Sequence, residues 1–252
     1  MPSLAELKYN LERDGYYLFK NYFDLDHILN IKSILKNANQ VWLKVNTNPK
    51  VINSAYLTST TYLPNEKDRN TIFGFLSSEP ILKICKEIFE NKFYFLNTQI
   101  FFNPTEKGMR PYWHRDIQYL GIPEEEQIQR IQKDFVWHFR IPLEEDPGLW
   151  FVPGSHNRWD TKEEREVRLE MENHRSHEPL PNQILISHNP CDLLVFSAHL
   201  LHKAEYGKNR FSFDILYTNF SESKQMVEKW NHFPNWGMSS FTDEQKKLFL
   251  TK

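Results

Sequence analysis

The segment PYWHRDIQYLG (residues 111–121) places an imidazole, His114, two positions before a carboxylate, Asp116. On an extended strand, residues i and i+2 project from the same face, so the two side chains would converge on one point. Such a pair is half of a metal site, although an isolated HxD pair is also what a surface ion pair or a strand-end cap would give. A third ligand is offered by DLLVFSAHLLHKAEYGKNR (192–210), which contains His199 and His202. Two histidines and one carboxylate on one face of a metal leave three coordination positions open, the pattern used by non-haem iron(II) oxygenases. Arg210 and Ser212 follow as an RxS pair on the next strand candidate. An arginine there could meet a carboxylate with its two-pronged guanidinium and stay charged when buried. Gln99 and Asn103, four apart in TQIFFN, share a face of the strand that leads to the HxD segment.

These residues need a scaffold of short strands, and the chain has one. KFYFLNTQIFFN (92–103), VWHFRIPL (136–143), GLWFVPG (148–154), CDLLVFSAHLLH (191–202) and RFSFDILYTNF (210–220) are dense in β-favouring residues, with turn signals such as NPTEKG and EEDPG between them. Ahead of them, residues 3–13 read as a helix opened by Ser3 and Glu6 in a capping box, with Leu4, Leu7 and Leu11 along one face. GYYLFKNYF (15–23) reads as a strand. A second helix carries Ile28, Leu29, Ile31, Ile34 and Leu35 behind Asp24 or Asp26, and a third covers the stretch from Pro80 to Phe89. The expected fold is mainly β: a jelly-roll core with flanking N-terminal α-helices. One domain is expected over residues 1–252, with a helical support layer at 1–92, the jelly-roll core at 93–220 and a C-terminal extension at 221–252. Within the core, the charged stretch 157–182 is a candidate lid. Its arginines, Arg158, Arg165, Arg168 and Arg175, are interleaved with Glu and read as a solvated face.

Composition narrows the partners. The 252 residues carry a formal charge of −2, with 40% apolar, 25% charged and 15% aromatic residues. That balance lacks the basic footprint of a nucleic-acid or anionic-membrane binder. No apolar run is long enough to span a bilayer, and the first residues lack a secretory core. Cys85 and Cys191 are too few for a disulfide framework, and no SKL address ends the chain. The expected setting is the cytoplasm, for a monomer or homodimer acting on a small molecule.

Taken in order along the chain, these segments resemble the phytanoyl-CoA dioxygenase (PhyH) superfamily, which includes the ectoine hydroxylases. DGYYLFKNYFD is similar to the family's helix–strand opening, GLWFVPGSH (148–156) to its turn ending in PGSH, and DLLVFSAHLLH to the strand that delivers the distal histidine. Pro147-Gly148 stands where the family usually has Asn-Gly. The resemblance covers most of the chain. It implies a double-stranded β-helix (cupin-like) core with Fe(II) held by His114, Asp116 and His202. His202 takes the family position and lies a hairpin's distance before Arg210. 2-Oxoglutarate would be the co-substrate, its distal carboxylate on Arg210, with Ser212, Gln99 and Asn103 as further contacts. O2 is the oxidant and ascorbate a stimulant.

The implied activity is hydroxylation of an unactivated C–H, releasing succinate and CO2, with desaturation or ring closure as relatives. Asp116 argues against halogenation, since related halogenases replace this carboxylate with Gly or Ala. Trp113, Arg115, Trp137 and Arg140 are the candidate substrate contacts, and an inward Arg140 would suit an amino acid or another carboxylate. The alternatives are a hydroxylase of protein side chains and a non-catalytic jelly-roll sensor that binds a metal or metabolite.

Overall fold

The strand from Val136 to Pro142 shows why this sequence makes a two-layered β core. Trp137, Phe139 and Ile141 point to one face and join the main apolar cluster, while His138 and Arg140 point to the other; all five are buried. The strand from Phe211 to Thr218 repeats the pattern. Phe213, Ile215 and Tyr217 face the main cluster, and Ser212, Asp214 and Thr218 face away from it, again fully buried. Strands buried on both faces must cover one face with helices and the other with a second sheet. The computed structural model, which describes residues 4–89, 93–219 and 241–249, does both.

The strands are β1 (Tyr16–Phe19), β2 (Asn53–Ala55), β3 (Tyr94–Phe102), β4 (Val136–Pro142), β5 (Asp146–Phe151), β6 (Ile184–His188), β7 (Leu193–Ser197), β8 (His202–Ala204) and β9 (Phe211–Thr218). The larger sheet has six strands in the order β1-β7-β4-β9-β3-β2, and the smaller has three in the order β6-β5-β8. All these pairings are antiparallel. The two sheets face each other across a small cluster of Leu149, Phe151, Leu194, Phe196 and Leu200. This is the jelly-roll core that the strand pattern predicts.

Helices α1 (Leu4–Asp14), α2 (Leu25–Val45), α3 (Glu66–Leu76) and α4 (Glu79–Phe89) precede the core strands, with α5 (Glu124–Arg130), α6 (Lys162–Arg168) and α7 (Asp243–Phe249) further along the chain. Ile28, Leu35, Ile72, Phe73, Leu76 and Ile81 from the N-terminal helices are almost fully buried in the same cluster as Phe139 and Phe213. Each such side chain is worth ~1.5–3 kcal/mol in burial.

Several elements escape sequence reasoning, among them β2, α5, α3 and β6. α3 is built from EKDRNTIFGFL, whose charged first turn hides its apolar face; its start is fixed by Asn65, whose side chain accepts from the Asp68 N–H at 3.0 Å. β6 emerges directly from the end of the charged stretch. The Ser3 half of the expected capping box and residues 221–240 and 250–252 of the expected extension lie outside the described residues.

The charged stretch is only in part the solvated face its composition predicts: Arg175 is exposed and Arg158 and Arg165 partly so, while Arg168 is buried. α6 begins with a capping box in which Thr161 Oγ1 accepts from Glu164 N at 3.3 Å and Glu164 returns the bond to Thr161 N at 2.7 Å. Arg168 turns inward and binds Asp160 through Nε and Nη2, at 2.8 and 2.6 Å. Arg158 pairs with the buried Glu164, and Arg165 with Glu124 of α5. Through Arg158, Arg165 and Arg168 the stretch also makes docking contacts, so its alternation of Arg with Glu is not only a water-facing stripe.

Gly148 lies in the irregular register between Asp146 and Leu149, at φ 121°, where an added Cβ would sit 2.3 Å from the Ile186 carbonyl oxygen. Only glycine fits a positive φ with backbone that close. Gly148→Ala is expected to destabilise the protein by ~1–3 kcal/mol. A lowered melting temperature checks this, and an unchanged one would show that the β5–β6 bulge can relax.

Candidate metal centre

His114 and His202 are joined by backbone. His114 N–H donates to the His202 carbonyl at 2.9 Å and His202 N–H to the His114 carbonyl at 3.0 Å, an isolated antiparallel bridge. Residues that exchange both bonds across a bridge present their side chains on the same face, and the two ring centroids are 4.1 Å apart. The HxD pair does not lie along one strand, as its spacing suggests. Only His114 is strand-paired, and Asp116 opens a 3-10 turn, Asp116–Leu120, that ends at Gly121 with φ 67°. Asp116 N–H is held by the Ala198 carbonyl at 3.1 Å, which turns the carboxylate back toward the imidazoles. His114 Nε2 lies 3.7 Å and His202 Nε2 3.6 Å from Asp116 Oδ1. Among the described residues these three form the one group whose ligand atoms all lie within 4.8 Å of one another.

The tautomers suit a cation. His114 Nδ1 faces the Tyr112 carbonyl at 3.1 Å and His202 Nδ1 the Leu200 carbonyl at 2.8 Å. A carbonyl only accepts, so each Nδ1 carries the proton and each Nε2 keeps its lone pair toward Asp116. Burial lowers the His114 pKa, and burial together with the neighbouring His114 brings His202 down to about 3. Burial alone would raise the Asp116 pKa, but its hydrogen bond to His138 and the three surrounding imidazoles hold it well below the usual carboxylate range. The set is thus two neutral imidazoles and one carboxylate, the donors a divalent cation needs.

Sequence reasoning missed what holds Asp116. Its Oδ2 is 2.8 Å from His138 Nε2, and His138 Nδ1 is 2.9 Å from Asp214 Oδ2. Arg140 then grips Asp214 through Nε and Nη2 at 2.6 and 2.8 Å. Burial opposes charge on His138, but the two carboxylates outweigh it and push its pKa up to about 9. The signal was present in the period-2 polar positions of VWHFRIPL and RFSFDILYT, which are out of place in a doubly buried strand unless they pair.

Beyond Arg140 stands Arg210, buried, with Nε 3.6 Å from Asp146 Oδ2. Arg210 Nε and Nη1 and Arg140 Nη1 have no hydrogen-bond partner, and both guanidinium groups lie over the Phe101 ring, at 5.4 and 4.3 Å. Buried donors without acceptors are costly, and an anion at this end of the barrel would satisfy them. Ser212 does not offer its hydroxyl there: it donates to Asp146, which in turn faces Arg210. Gln99 pairs in register with Asp214 and so shares its inward face. Asn103 donates Nδ2 to the Gly207 carbonyl, and its Oδ1 is buried without a partner, as is the Tyr206 hydroxyl, which sequence reasoning also missed.

Three expected substrate contacts are elsewhere. Arg115 is fully buried and spends its guanidinium on Asp160 at 2.7 Å and on the carbonyls of Ser155 and His199. Trp113 is fully buried in a side cluster, with Nε1 donating to the Glu178 carbonyl at 2.7 Å. Trp137 faces the main helical core. Each is a neighbour in sequence whose strand or turn parity aims it away. His199 is not in the triad; its Nε2 meets the Asp134 carbonyl.

Fold and donor set together define a jelly-roll protein with a two-histidine, one-carboxylate facial site. The chain belongs to the phytanoyl-CoA dioxygenase (PhyH) family, whose model matches residues 11–211. No curated protein matches it significantly. Among solved structures it is similar to EctD from S. alaskensis with 2-oxoglutarate and 5-hydroxyectoine, with TM-score 0.60 and 13% identity over 84% of this chain and 75% of that one. AviO1 from Streptomyces viridochromogenes matches with TM-score 0.57 and 17% identity over 86% and 96%. The non-heme alpha ketoglutarate dependent epimerase SnoN from nogalamycin biosynthesis matches with TM-score 0.55 and 15% identity over 85% and 82%.

His138→Leu would leave Asp116 and Asp214 without their shared cation. Breaking a buried pair typically costs ~3–5 kcal/mol, and about 3 is expected here because Arg140 still pairs Asp214. Urea unfolding of the metal-free protein measures it, and a loss under ~1 kcal/mol would show that the bridge contributes little.

Proposed function

We propose that this chain is an Fe(II)- and 2-oxoglutarate-dependent dioxygenase that hydroxylates a C–H bond of a small molecule. The observation that carries the reading is the charge balance of the barrel interior. Arg140, Arg210 and protonated His138 are cations; Asp116, Asp146 and Asp214 are anions. A divalent metal would add two positive charges, and a dicarboxylate would cancel them. The unpartnered nitrogens of Arg210 and Arg140 supply what one end of that dicarboxylate lacks.

On this reading, Nε2 of His114, Nε2 of His202 and Oδ1 of Asp116 hold the iron. His138 occupies the second Asp116 oxygen, which leaves the first for the metal. Arg210, with Arg140 beside it, receives the distal carboxylate of the co-substrate, and the amides of Gln99 and Asn103 flank it. Ser212 acts through Asp146, which orients Arg210. When bound, iron and keto acid supply the oxidising chemistry and yield succinate and CO2. The protein's part is to fix ligand geometry and to keep the site dry, which the buried walls of Phe151 and Phe196 beside His202 do. The neighbours of similar fold include EctD with 2-oxoglutarate and 5-hydroxyectoine, an epimerase and a carbocyclase, so the same site could serve more than one outcome; retention of Asp116 favours oxygen transfer.

Protein incubated with Fe(II), ascorbate and 2-oxoglutarate is expected to release succinate slowly without added substrate. His114→Ala and Asp116→Ala should each abolish this release, and full activity in either rejects the assignment. For Arg210→Ala the KM for 2-oxoglutarate should rise by the equivalent of ~2–5 kcal/mol, with iron affinity little changed. A KM that does not move takes Arg210 out of the clamp.

A further inference from the structure

The barrel interior is polarised. Along β9 the inward residues run Ser212, Asp214, Leu216, Thr218, and their partners on β4 run Pro142, Arg140, His138, Val136. Each pair lies about 6.5–7 Å from the next. Asp116 meets this ladder at the His138–Leu216 level, through its bond to His138. Arg140 and Asp214 lie one step toward the cationic end. One step the other way, the walls turn apolar. A cavity of about 210 Å³ opens there, walled mainly by Leu96, Val136, Leu216 and Leu120, with Asp116 and His199, whose Nδ1 is buried without a hydrogen-bond partner, also on its lining.

The charges at its mouth do not welcome an anion. Arg130 lines the cavity, but its Nε and Nη2 already hold Glu126 at 3.0 and 2.7 Å, and its Nη1 lies 3.7 Å from Asp134. A carboxylate entering would lose water, find no free cation among the described residues, and meet Asp134 and Asp116; an ammonium would lose its water to two carboxylates already paired with Arg130 and His138. The sequence-based expectation of an amino acid or other carboxylate rested on an inward Arg140. Arg140 does face inward, but it is bonded to Asp214 and lies on the far side of His138 from this cavity.

The cavity is smaller than the ~300–1,000 Å³ of most ligand sites, so it would hold one end of a molecule. Leu120, a wall residue, is exposed and forms an apolar rim where the cavity meets the surface. We propose that this cavity takes the reacting end of an uncharged, apolar substrate of the aliphatic or aryl-alkyl class, whose remainder lies along this rim. The proposal rests on Asp116 being a ligand of the reactive metal.

Binding of phenylbutanol, phenylbutanoate and phenylbutylamine, one skeleton with three charges, tests it. Ligand-observed NMR titration would use the full chain, metal-free and again with Fe(II) and 2-oxoglutarate under argon. The alcohol is expected to bind saturably and at least ~10-fold more tightly than the carboxylate or the amine, because only it loses no charge hydration on entry. Leu120→Glu, at a half-exposed position, should weaken the alcohol at least ~5-fold with an unchanged melting temperature. Equal or tighter binding of either ion, no saturable alcohol binding, or indifference to Leu120→Glu would overturn the proposal. The binding needs no turnover, so it is separable from the oxygenase reading. Alcohol binding without succinate release removes that reading alone, and succinate release without alcohol binding removes this one.

Discussion

Two backbone hydrogen bonds between His114 and His202 set where everything else at the site can go. A bridge that exchanges both bonds fixes the spacing and the facing of two side chains without any side-chain contact. The imidazoles are then locked by their own local backbone, since each Nδ1 is committed to a carbonyl two residues earlier in the chain. Metal ligands usually owe their orientation to such outer contacts, and here the main chain supplies them. The bridge also joins the loop after β3 to the smaller sheet, so a change that separates the two sheets would take the centre apart.

The carboxylate is positioned by a different device. Asp116 sits on a 3-10 turn rather than a strand, and a turn is a looser support. Its second oxygen is tied through His138 and Asp214 to Arg140, a chain of alternating charge rooted in two central strands of the larger sheet. Burying these charges carries a large desolvation cost, which their mutual pairing offsets. The stabilising returns come from the opposite faces of the same strands, where Phe139, Ile141, Phe213, Ile215 and Tyr217 pack on the helices. One strand face supplies stability and the other holds the chemistry, and the period of two keeps them apart.

That division gives the interior a direction. Cations gather at one end around Arg140 and Arg210, the metal donors lie in the middle, and apolar walls open at the other end. On the proposed reading, two ligands of opposite character could therefore approach one metal from opposite sides without competing for the same contacts. The charged segment 157–182 lends support from outside: Asp160 is shared by Arg115 and Arg168, which ties the residue between His114 and Asp116 to α6.

Much of this was legible in the residues. The jelly-roll class followed from short aromatic strands, and the ligand types followed from HxD with a later histidine, because coordination chemistry restricts both the residue and its spacing. Arg210 was legible as a residue that needs a counter-charge, and the structure buries it beside Asp146 with nitrogens left without hydrogen-bond partners. What the sequence could not decide was which side chains turn inward. Trp113, Arg115 and Trp137 stand next to the site residues along the chain, yet each points to a different core, since parity on a twisted strand or turn is set only when the neighbouring strands dock. His138 and Asp214 were invisible for the converse reason. Their partners lie 22 and 76 residues away along the chain, and an ion pair across that distance exists only once the sheet has put the two strands side by side.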